Sequence, residues 1–507
     1  MSNRWEFDVG TGRSAVPQRR RAGSPMRLLL LGDFSGRSSR GISDPAKLAE
    51  RPLHRVDLDN VEHVLARVAP QLPLPADQGS PAAMLDFGSL DDFLPDRLYQ
   101  RVAIFRRLRA LRASLLDPAS FERAAAELRA VRPAPAGAGA APVAASANAE
   151  SESGTLQRLL GSVPAAAPAP GPGTTGAVDA LIHRAVAPHI VPSSSPQQSV
   201  YLAEIDALIG EQMRLLLHSP AFSALEMAWR SVQWLVSRIE LNENLQLHLL
   251  DVTREELQAD LLAAQGDLSR SGVARVLCKP DIGQSPHWSL FAGLYSVGPS
   301  ADDLGLLAAL GAVAVQAGGP VIAAAAPELF GCASVADLAD PRQWQPLTDD
   351  VAQRWSRLRR SEVAPWIGLV APRVLLRLPY GKATDPIEHF EFEEQPAESP
   401  MHETLLWGPG SLVVALLIGR AFTEGGWELA DDPALELDDL PAYTFKRDGA
   451  AQLQPCGEAW LGERAALALL GHGVMPLLSD RQRAAVRLMR MQSVAEPPQP
   501  LAGPHPR

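Results

Sequence analysis

The sequence has few cysteines, and their spacing predicts neither a metal site nor a disulfide framework. Only Cys278, Cys332 and Cys456 occur among 507 residues, and they are widely separated. The absence of a C-x-x-C pair argues against a zinc-binding module, and the odd number argues against a set of structural disulfides. Such cysteine usage suits a reducing compartment, so we expect a cytoplasmic protein.

An excess of positive charge is also absent. Lys and Arg number 47 against 58 Asp and Glu, a formal net charge of −11, which argues against general nucleic-acid binding. Residues 95–129 are the exception, because one face of this predicted helical region is rich in arginine: Arg97, Arg101, Arg106, Arg107, Arg109 and Arg112. No aromatic residues alternate with these arginines, so a solvated face or a contact with an acidic partner is favoured over nucleic acid or a membrane surface.

A long unbroken hydrophobic run is missing as well. The first 27 residues contain six arginines and no apolar segment typical of a secretory signal. Residues 304–326 have the length of a membrane span, but "GGP" at 318–320 interrupts them, and lipid would require a continuous backbone ladder. We predict a buried helix, a turn and a buried strand there, and no membrane insertion.

The complete phosphate-binding motifs are absent from the most suggestive turn. "MRLLLLGDFSGRSSR", residues 26–40, is an apolar strand that enters a turn with two glycines. A P-loop requires G-x-x-x-x-G-K-[ST], and here Arg37 follows Gly36 with a spacing one residue too short. The G-x-G-x-x-G pattern of dinucleotide-binding folds is missing too. A structural strand that ends in a tight turn is the favoured interpretation.

No catalytic or metal-binding constellation outweighs a structural explanation. The densest set of potential ligands is "IEHFEFEEQ", in which His389, Glu391 and Glu393 could share one face of a strand and, in principle, bind a metal. Because Phe390 and Phe392 alternate with them, an edge strand with its acidic side in solvent is favoured. We therefore predict no enzyme activity, no cofactor and no metal.

The composition divides the chain into regions. Residues 131–198 are rich in Ala, Pro and Gly and predict a disordered linker. Within it, a short amphipathic helix is predicted at 155–163, with an apolar face suited to a partner's groove: Leu156, Leu159, Leu160 and Val163. An incidental cluster of leucines is an equally good explanation. The flanking regions, 1–130 and 199–494, are expected to be globular, and residues 495–507 to be a disordered tail.

The periodicity predicts an α/β (α+β) fold, with mixed sheets flanked by helices in two globular parts. Residues 4–10 and 27–31 are predicted strands of the first part. In the second part, strands at 245–252, 289–297, 320–326, 367–371 and 442–446 alternate with helices such as 253–265 and 301–317. Alternation of this kind is typical of a mostly parallel sheet covered by helices.

Several blocks resemble a known family in order along the chain. "LLLLGDFSGR" and "LDFGSLDDFLPDRLYQRV" are similar to the small subunit of the type VI secretion contractile sheath, over residues 4–130. "LLLHSPAFSALEMAWRSVQWLV", "RSEVAPWIGLVAPRVLLRLPYG" and "LLWGPGSLVVALLIGRAF" are similar to its large subunit, over residues 155–494. The chain therefore resembles a small and a large sheath subunit joined in one polypeptide.

The resemblance implies a structural, non-enzymatic role. Sheath subunits stack as a helical tube around an inner tube and contract to expel it with its effectors, and terminal strands complete sheets of neighbouring protomers. It implies other sheath subunits, the inner tube protein and baseplate proteins as partners. It also implies a sheath-recycling AAA+ ATPase, whose binding helix corresponds here to residues 155–163. The alternative is an adaptor that docks on sheath subunits without polymerising.

Two departures from the family pattern bear on that choice. Fusion fixes the ratio of the two subunits at one to one and makes their association intramolecular. The similarity to the large subunit stops near "MQSVAEPPQP", which implies a large subunit shortened at its C-terminal end, where the family carries intersubunit strands.

Overall fold

The computed structural model describes residues 24–74, 83–131, 196–278, 288–395, 402–427, 435–447 and 449–504. The chain divides into two compact units, of which the first comprises Met1–Phe105 with Gly210–Arg507 and the second comprises Arg106–Ile209. For the account below, residues 24–131 are the N-terminal segment and residues 196–504 the C-terminal segment.

The described strands all lie in the first unit. In chain order they are β1 (Met26–Gly32), β2 (His54–Val56), β3 (Gln71–Leu74), β4 (Ala83–Asp86), β5 (Leu245–Asp251), β6 (Leu290–Val297), β7 (Val321–Ala325), β8 (Ile367–Ala371), β9 (Val374–Leu375), β10 (Trp407–Gly408), β11 (Glu436–Leu437), β12 (Tyr443–Arg447), β13 (Ala450–Gln454), β14 (Val474–Ser479) and β15 (Val486–Leu488).

The described helices flank these strands. They are α1 (Val61–Val68), α2 (Pro95–Arg101), α3 (Ala103–Leu116), α4 (Phe121–Val131), α5 (Pro196–Leu217), α6 (Pro220–Val236), α7 (Arg254–Ala264), α8 (Gly272–Leu277), α9 (Ala301–Ala317), α10 (Asp349–Arg359), α11 (Ser411–Gly425) and α12 (Glu463–Gly471). The predicted mixed α/β fold is confirmed. The helical region predicted at 95–129 consists of three helices, because Val102 is extended and Pro118 lies in the turn before α4.

A nine-stranded sheet forms the framework, in the order β11-β15-β14-β8-β7-β6-β1-β5-β2. Neighbours from β14 to β5 run parallel, whereas the pairs at both ends of the sheet are antiparallel. The central parallel strands are mostly apolar, as is typical of strands covered by helices on both faces. In β7 and β8, for example, every residue is buried.

Strand β1 of the N-terminal segment lies inside the sheet, between two strands of the C-terminal segment. Its residues pair in parallel with β5 from Met26↔Leu245 to Gly32↔Asp251 and with β6 from Leu28↔Leu290 to Leu31↔Gly293. The four leucines of β1 are at most 1% exposed. Residues more than two hundred positions apart therefore build one hydrophobic core.

The region that imitates a membrane span folds as predicted. Helix α9 ends at Gly318, which has a φ of +84° and closes the helix with a left-handed residue, and strand β7 follows. In the described part of the chain, no helix is both long and apolar enough to cross a membrane.

The second unit is helical in its described part. Arg112 of α3 donates from Nε to Oδ1 of Asp206 in α5, at 2.6 Å, and Arg107 of α3 lies 3.4 Å from Glu127 of α4. These carboxylates compensate part of the arginine-rich face inside its own unit. Such local compensation favours a structural role for that face over a nucleic-acid interface.

The segment predicted as a disordered tail is packed as far as Pro504, which corrects the prediction for residues 495–504. Ala495 and Leu501 are at most 2% exposed, and the Glu496 N–H donates to the carbonyl of Arg359 in α10. The buried Arg359 guanidinium donates to the Val494 carbonyl. The prediction was wrong because the prolines stay at the surface while the few apolar residues between and beside them reach the core.

Candidate functional site

The turn after β1 is held by a carboxylate at the end of the neighbouring strand. Asp251 ends β5, and its Oδ1 accepts the N–H groups of Phe34 and Ser35 at 2.8 and 3.0 Å. The Ser35 hydroxyl donates to the other oxygen at 2.7 Å. On the opposite side, Nε1 of Trp229 in α6 donates to the Phe34 carbonyl at 2.8 Å.

The remaining N–H groups of the turn face a second carboxylate. Asp33 accepts the N–H groups of Arg37 and Ser38, each at 2.8 Å. Gly36 has a φ of +72°, and a Cβ there would lie 2.4 Å from the Gln71 carbonyl oxygen, so the position requires glycine. Four N–H groups of this turn are thus bound to carboxylates of the protein itself, and the predicted strand that ends in a tight turn is confirmed.

A buried glutamate joins the two segments next to this turn. Glu256, near the start of α7, has a fully buried side chain. Arg37 and Arg51 of the N-terminal segment donate to it at 2.9 and 2.7 Å, and it also accepts the N–H groups of Asp44 and Thr253. Burial alone would raise the pKa of Glu256, but the hydrogen bonds from Arg51, the two backbone groups and Arg37 lower it to about 2.

A second joint lies on helix α2. Asp96 accepts the N–H groups of Glu388 and His389 at 3.1 Å each, and His389 Nδ1 lies 2.8 Å from the same carboxylate. Beside it, the rings of Tyr99 and Phe390 lie 4.6 Å apart. In each contact one partner belongs to the N-terminal segment and the other to the C-terminal segment. Helix α2 therefore anchors the irregular stretch around His389.

The prediction of an edge strand at 388–394 is wrong. The stretch is irregular and forms no strand: His389 pairs with Asp96, and Glu394, outside the predicted acidic face, is buried. Phe392 is buried, whereas His389, Glu391 and Glu393 are exposed, so the inward aromatic side and the outward acidic side are retained although the backbone forms no strand. Among the residues that the structure describes, no three His, Cys, Asp or Glu side chains converge as a metal site would require.

Glu394 belongs to an ion-pair cluster inside the C-terminal segment. Arg377 donates from Nη1 to Glu394 and from Nε to Glu226, each at 2.8 Å, and both carboxylates are at most 1% exposed. His218 lies 3.2 Å from Glu394. Burial would raise the pKa of Glu394, but the Arg377 charge and the hydrogen bonds from His218 and Arg377 lower it to about 2. The positive and negative charges of the cluster compensate one another, which is typical of a structural role.

A partly exposed hairpin offers a candidate edge for assembly. Strands β12 and β13 pair only with each other there and form a separate two-stranded sheet. Tyr443 packs against the small cluster of Leu375, Leu405 and Trp407. Strand β13, "AAQLQ", contains no charged residue, and its first three residues are exposed. An uncharged edge of this kind is suited to pairing with a strand of another chain.

Some predicted features lie outside the described residues. They are the strand at 4–10 and the partner-binding positions Leu156, Leu159, Leu160 and Val163. Conversely, the joints at Glu256 and Asp96 were not predicted. The T-x-x-E pattern at Thr253 marks a capping box, which the structure contains, but no local pattern identifies arginines two hundred residues away as its partners.

Comparisons with known proteins agree with this architecture. The family model described as VipB, EvpB/VC_A0108, tail sheath N-terminal domain, matches residues 199–495. The model described as type VI secretion system VipA, VC_A0107 or Hcp2, matches residues 16–129. The type VI secretion system sheath protein TssC1 of Pseudomonas aeruginosa is 31% identical over 304 residues, which cover 58% of this chain and 61% of the relative.

The matched stretch thus spans less than two thirds of that relative's length. The VipB model alone covers more than half of this chain, and the VipA model covers most of the N-terminal segment. The chain therefore belongs to the family of type VI secretion sheath proteins, and it carries a VipA-type segment followed by a VipB-type segment in one polypeptide.

Proposed function

We propose that this chain is a structural subunit of a type VI secretion sheath, which assembles with other sheath subunits into the contractile tube. The observation that carries the proposal is the position of β1, a VipA-type strand that completes a VipB-type sheet. A single chain thereby supplies the paired unit from which such a tube is built. The structural nature of the family favours a non-enzymatic role in the cytoplasm.

The wider partners belong to the same proposal. A sheath encloses an inner tube and starts from a baseplate, so the inner tube protein and baseplate proteins are the expected neighbours. Subunits would be linked when an extended strand of one chain adds to the β12–β13 hairpin of another, because main-chain hydrogen bonds provide the affinity in this mode. The predicted strand at 4–10 is the candidate donor.

Electron microscopy tests the proposal directly. The purified chain, alone and mixed with separately encoded sheath subunits, is expected to form tubes or rings that contain it. Stoichiometric binding without incorporation would instead identify an adaptor, and a chain that neither assembles nor binds sheath subunits would contradict both roles.

The hairpin is tested by placing a charge on its exposed edge. The double variant Ala451→Lys, Gln452→Lys is expected to abolish tubes without lowering the midpoint of thermal unfolding, because lysines block strand addition at an edge. Leu467→Lys is the control for an added surface charge, since Leu467 is 53% exposed and lies on a helix, α12. Tubes formed equally by the double variant would show that the hairpin is not the contact.

We also propose that Leu156, Leu159, Leu160 and Val163 bind the AAA+ ATPase that recycles contracted sheath. The support is their helical spacing and the family resemblance of this stretch. Replacing the three leucines by alanine should abolish co-purification of the ATPase while leaving the circular dichroism spectrum unchanged. Undiminished co-purification would remove these residues from the proposal.

A further inference from the structure

We propose that Arg238 and Arg420 form a cationic site on the C-terminal segment that binds a carboxylate of a second copy of this chain. The inference goes beyond the proposed function, which assigns the contact between copies to a strand edge. Two observations carry it. Arg420 is partly buried without a partner in the described structure, and the carboxylates that lie closest to the arginines along the chain leave both guanidinium groups unpaired.

The two arginines are brought together by a close approach of helix α11 to the residues that follow α6. A Cβ atom on Gly419 of α11 would lie 3.2 Å from Cδ1 of Ile239, so the backbone of α11 nearly touches this side chain. Arg238 precedes Ile239 in the chain, and Arg420 follows Gly419. Two positive side chains that are 182 residues apart in the sequence are therefore neighbours in the fold.

The Arg238 side chain is held in a fixed position. Its guanidinium carbon lies 5.1 Å from the centre of the Trp234 ring, and its Nη2 donates to the Asp439 carbonyl at 3.0 Å. Burial lowers the pKa of Arg238, while the charge of Asp439 opposes this shift and the charge of Arg420 adds to it. A guanidinium group stacked on an aromatic ring is preorganised, so it loses little freedom when it binds a planar carboxylate.

The Arg420 side chain is half-buried, and no hydrogen bond or ion pair engages it among the residues that the structure describes. Glu424, one helical turn further along α11, is exposed and forms no ion pair with it there. The indole N–H of Trp234 is buried and has no acceptor in the same part of the chain. Partly buried donors without acceptors are unfavourable, so an anion that reaches this place from outside is stabilised.

The acidic residues around strand β11 do not neutralise the arginines. Glu436 and Asp438 both pair with Arg483, which lies in the turn between β14 and β15. Asp439 offers Arg238 its backbone carbonyl, and its carboxylate forms no ion pair with either arginine in the described structure. A counter-ion for the site is therefore missing from the described part of the chain.

The chemistry of the site and the charge of the chain together identify the occupant as a carboxylate of a second copy. Each chain has 58 Asp and Glu against 47 Lys and Arg, so a neighbouring copy offers surplus carboxylates. The same net charge repels nucleic acid and other extended polyanions. Hydrogen bonds from a guanidinium group to a carboxylate are about twice as strong as those between neutral groups, which favours this pairing.

Carbodiimide coupling identifies the carboxylate at the site. The full-length variant Arg420→Lys keeps the positive charge and supplies an amine, which carbodiimide joins directly to a carboxylate in contact with it. The variant is prepared with ordinary and with heavy nitrogen, the two preparations are mixed and concentrated, and the coupled peptides are identified by mass spectrometry. The background is low because the native chain has only four lysines: Lys47, Lys279, Lys382 and Lys446.

We expect coupled peptides of mixed isotope composition at position 420, in a yield at least about fivefold above that of Arg464→Lys. Arg464 is the matched control, because it is exposed on helix α12. A mixed product no stronger than the control would overturn the inference. Coupling only within one copy would overturn it too, since the chain would then supply its own carboxylate.

Removing the charge provides a second measurement. Arg420→Gln breaks no hydrogen bond of the described structure, so the midpoint of thermal unfolding should not change. The concentration at which half of the chains self-associate, measured by sedimentation velocity, should rise at least about fivefold at 0.1 M salt. The effect should shrink near 1 M salt, where the screening length falls from about 10 Å to about 3 Å. Self-association equal to that of the native chain at low salt would overturn the inference.

These outcomes are separate from those of the proposed function. A mixed coupled product in protein that forms no tubes would retain the arginine site and contradict only the role as a tube subunit. Tubes that form without any mixed product at position 420 would contradict only the arginine site.

Discussion

At the scale of single residues, two buried glutamates have unusually complete sets of partners. Two arginines and two backbone N–H groups bind Glu256, whereas Arg377, His218 and the Tyr380 N–H bind Glu394, and these contacts lower the pKa of each glutamate to about 2. A buried charge pair adds little net stability over an apolar pair, but removing one partner leaves the other charge buried and uncompensated. These residues are therefore sensitive points at which to probe the fold.

The first prediction concerns the joint between the segments. Glu256→Gln should lower the free energy of unfolding by about 3 kcal/mol, because Arg37 and Arg51 would lose the buried carboxylate that both of them bind. Urea unfolding at pH 7 measures the change. Glu255→Gln is the matched control at an exposed neighbouring position and should change the stability by less than about 0.5 kcal/mol. Equal effects of both variants would show that the arginines do not depend on Glu256.

The second prediction follows from the pKa values. In the unfolded chain a glutamate titrates near 4.5, so protonation favours the unfolded state once the pH falls below that value. The stability contributed by Glu256 and Glu394 is thus fully present above about pH 4.5 and is lost as the pH falls towards 2. The difference in stability between the native chain and Glu256→Gln should shrink across this interval. A difference that stays constant from pH 7 to pH 2.5 would contradict the assigned pKa.

At the scale of elements, local patterns predicted most of the framework. The strands at 245–252, 289–297 and 367–371 were located within one residue, because apolar runs bounded by polar turns report burial on both faces. The stretch 388–394 was misassigned, since alternation of Phe with His and Glu imitates a strand. Its backbone is fixed instead by Asp96, nearly three hundred residues away, and no local pattern contains that information.

Residues 492–504 are likewise fixed by contacts with residues distant in the sequence, and they yield the third prediction. A chain that ends at Met491 loses the burial of Val494 and Leu501 and the hydrogen bond to Ile367. Each of these two side chains contributes roughly 1.5–3 kcal/mol on burial, so the free energy of unfolding should fall by about 3–6 kcal/mol. A chain that ends at Pro504 is the control and should match the full chain in urea unfolding. Equal stability of both truncated chains would contradict the packing of the tail.

At the scale of the whole molecule, the order of strands was beyond prediction from sequence. Family resemblance identified a small-subunit and a large-subunit region, and the periodicity identified β1 as buried. Neither shows that β1 lies between β5 and β6, because a buried parallel strand has the same apolar composition wherever it is placed. Register and neighbours are decided by long-range contacts such as those of Asp251 with the turn after β1.

The central claim is that residues on both sides of the connection build one sheet, and cleavage of the connection tests it most directly. A protease site is introduced between residues 132 and 195 of the full chain, the protein is cut, and the products are analysed by size-exclusion chromatography and thermal unfolding. We predict that the two fragments elute together at the position of the uncut chain and unfold in one transition. Fragments that separate under native conditions, each retaining its fold, would contradict the claim.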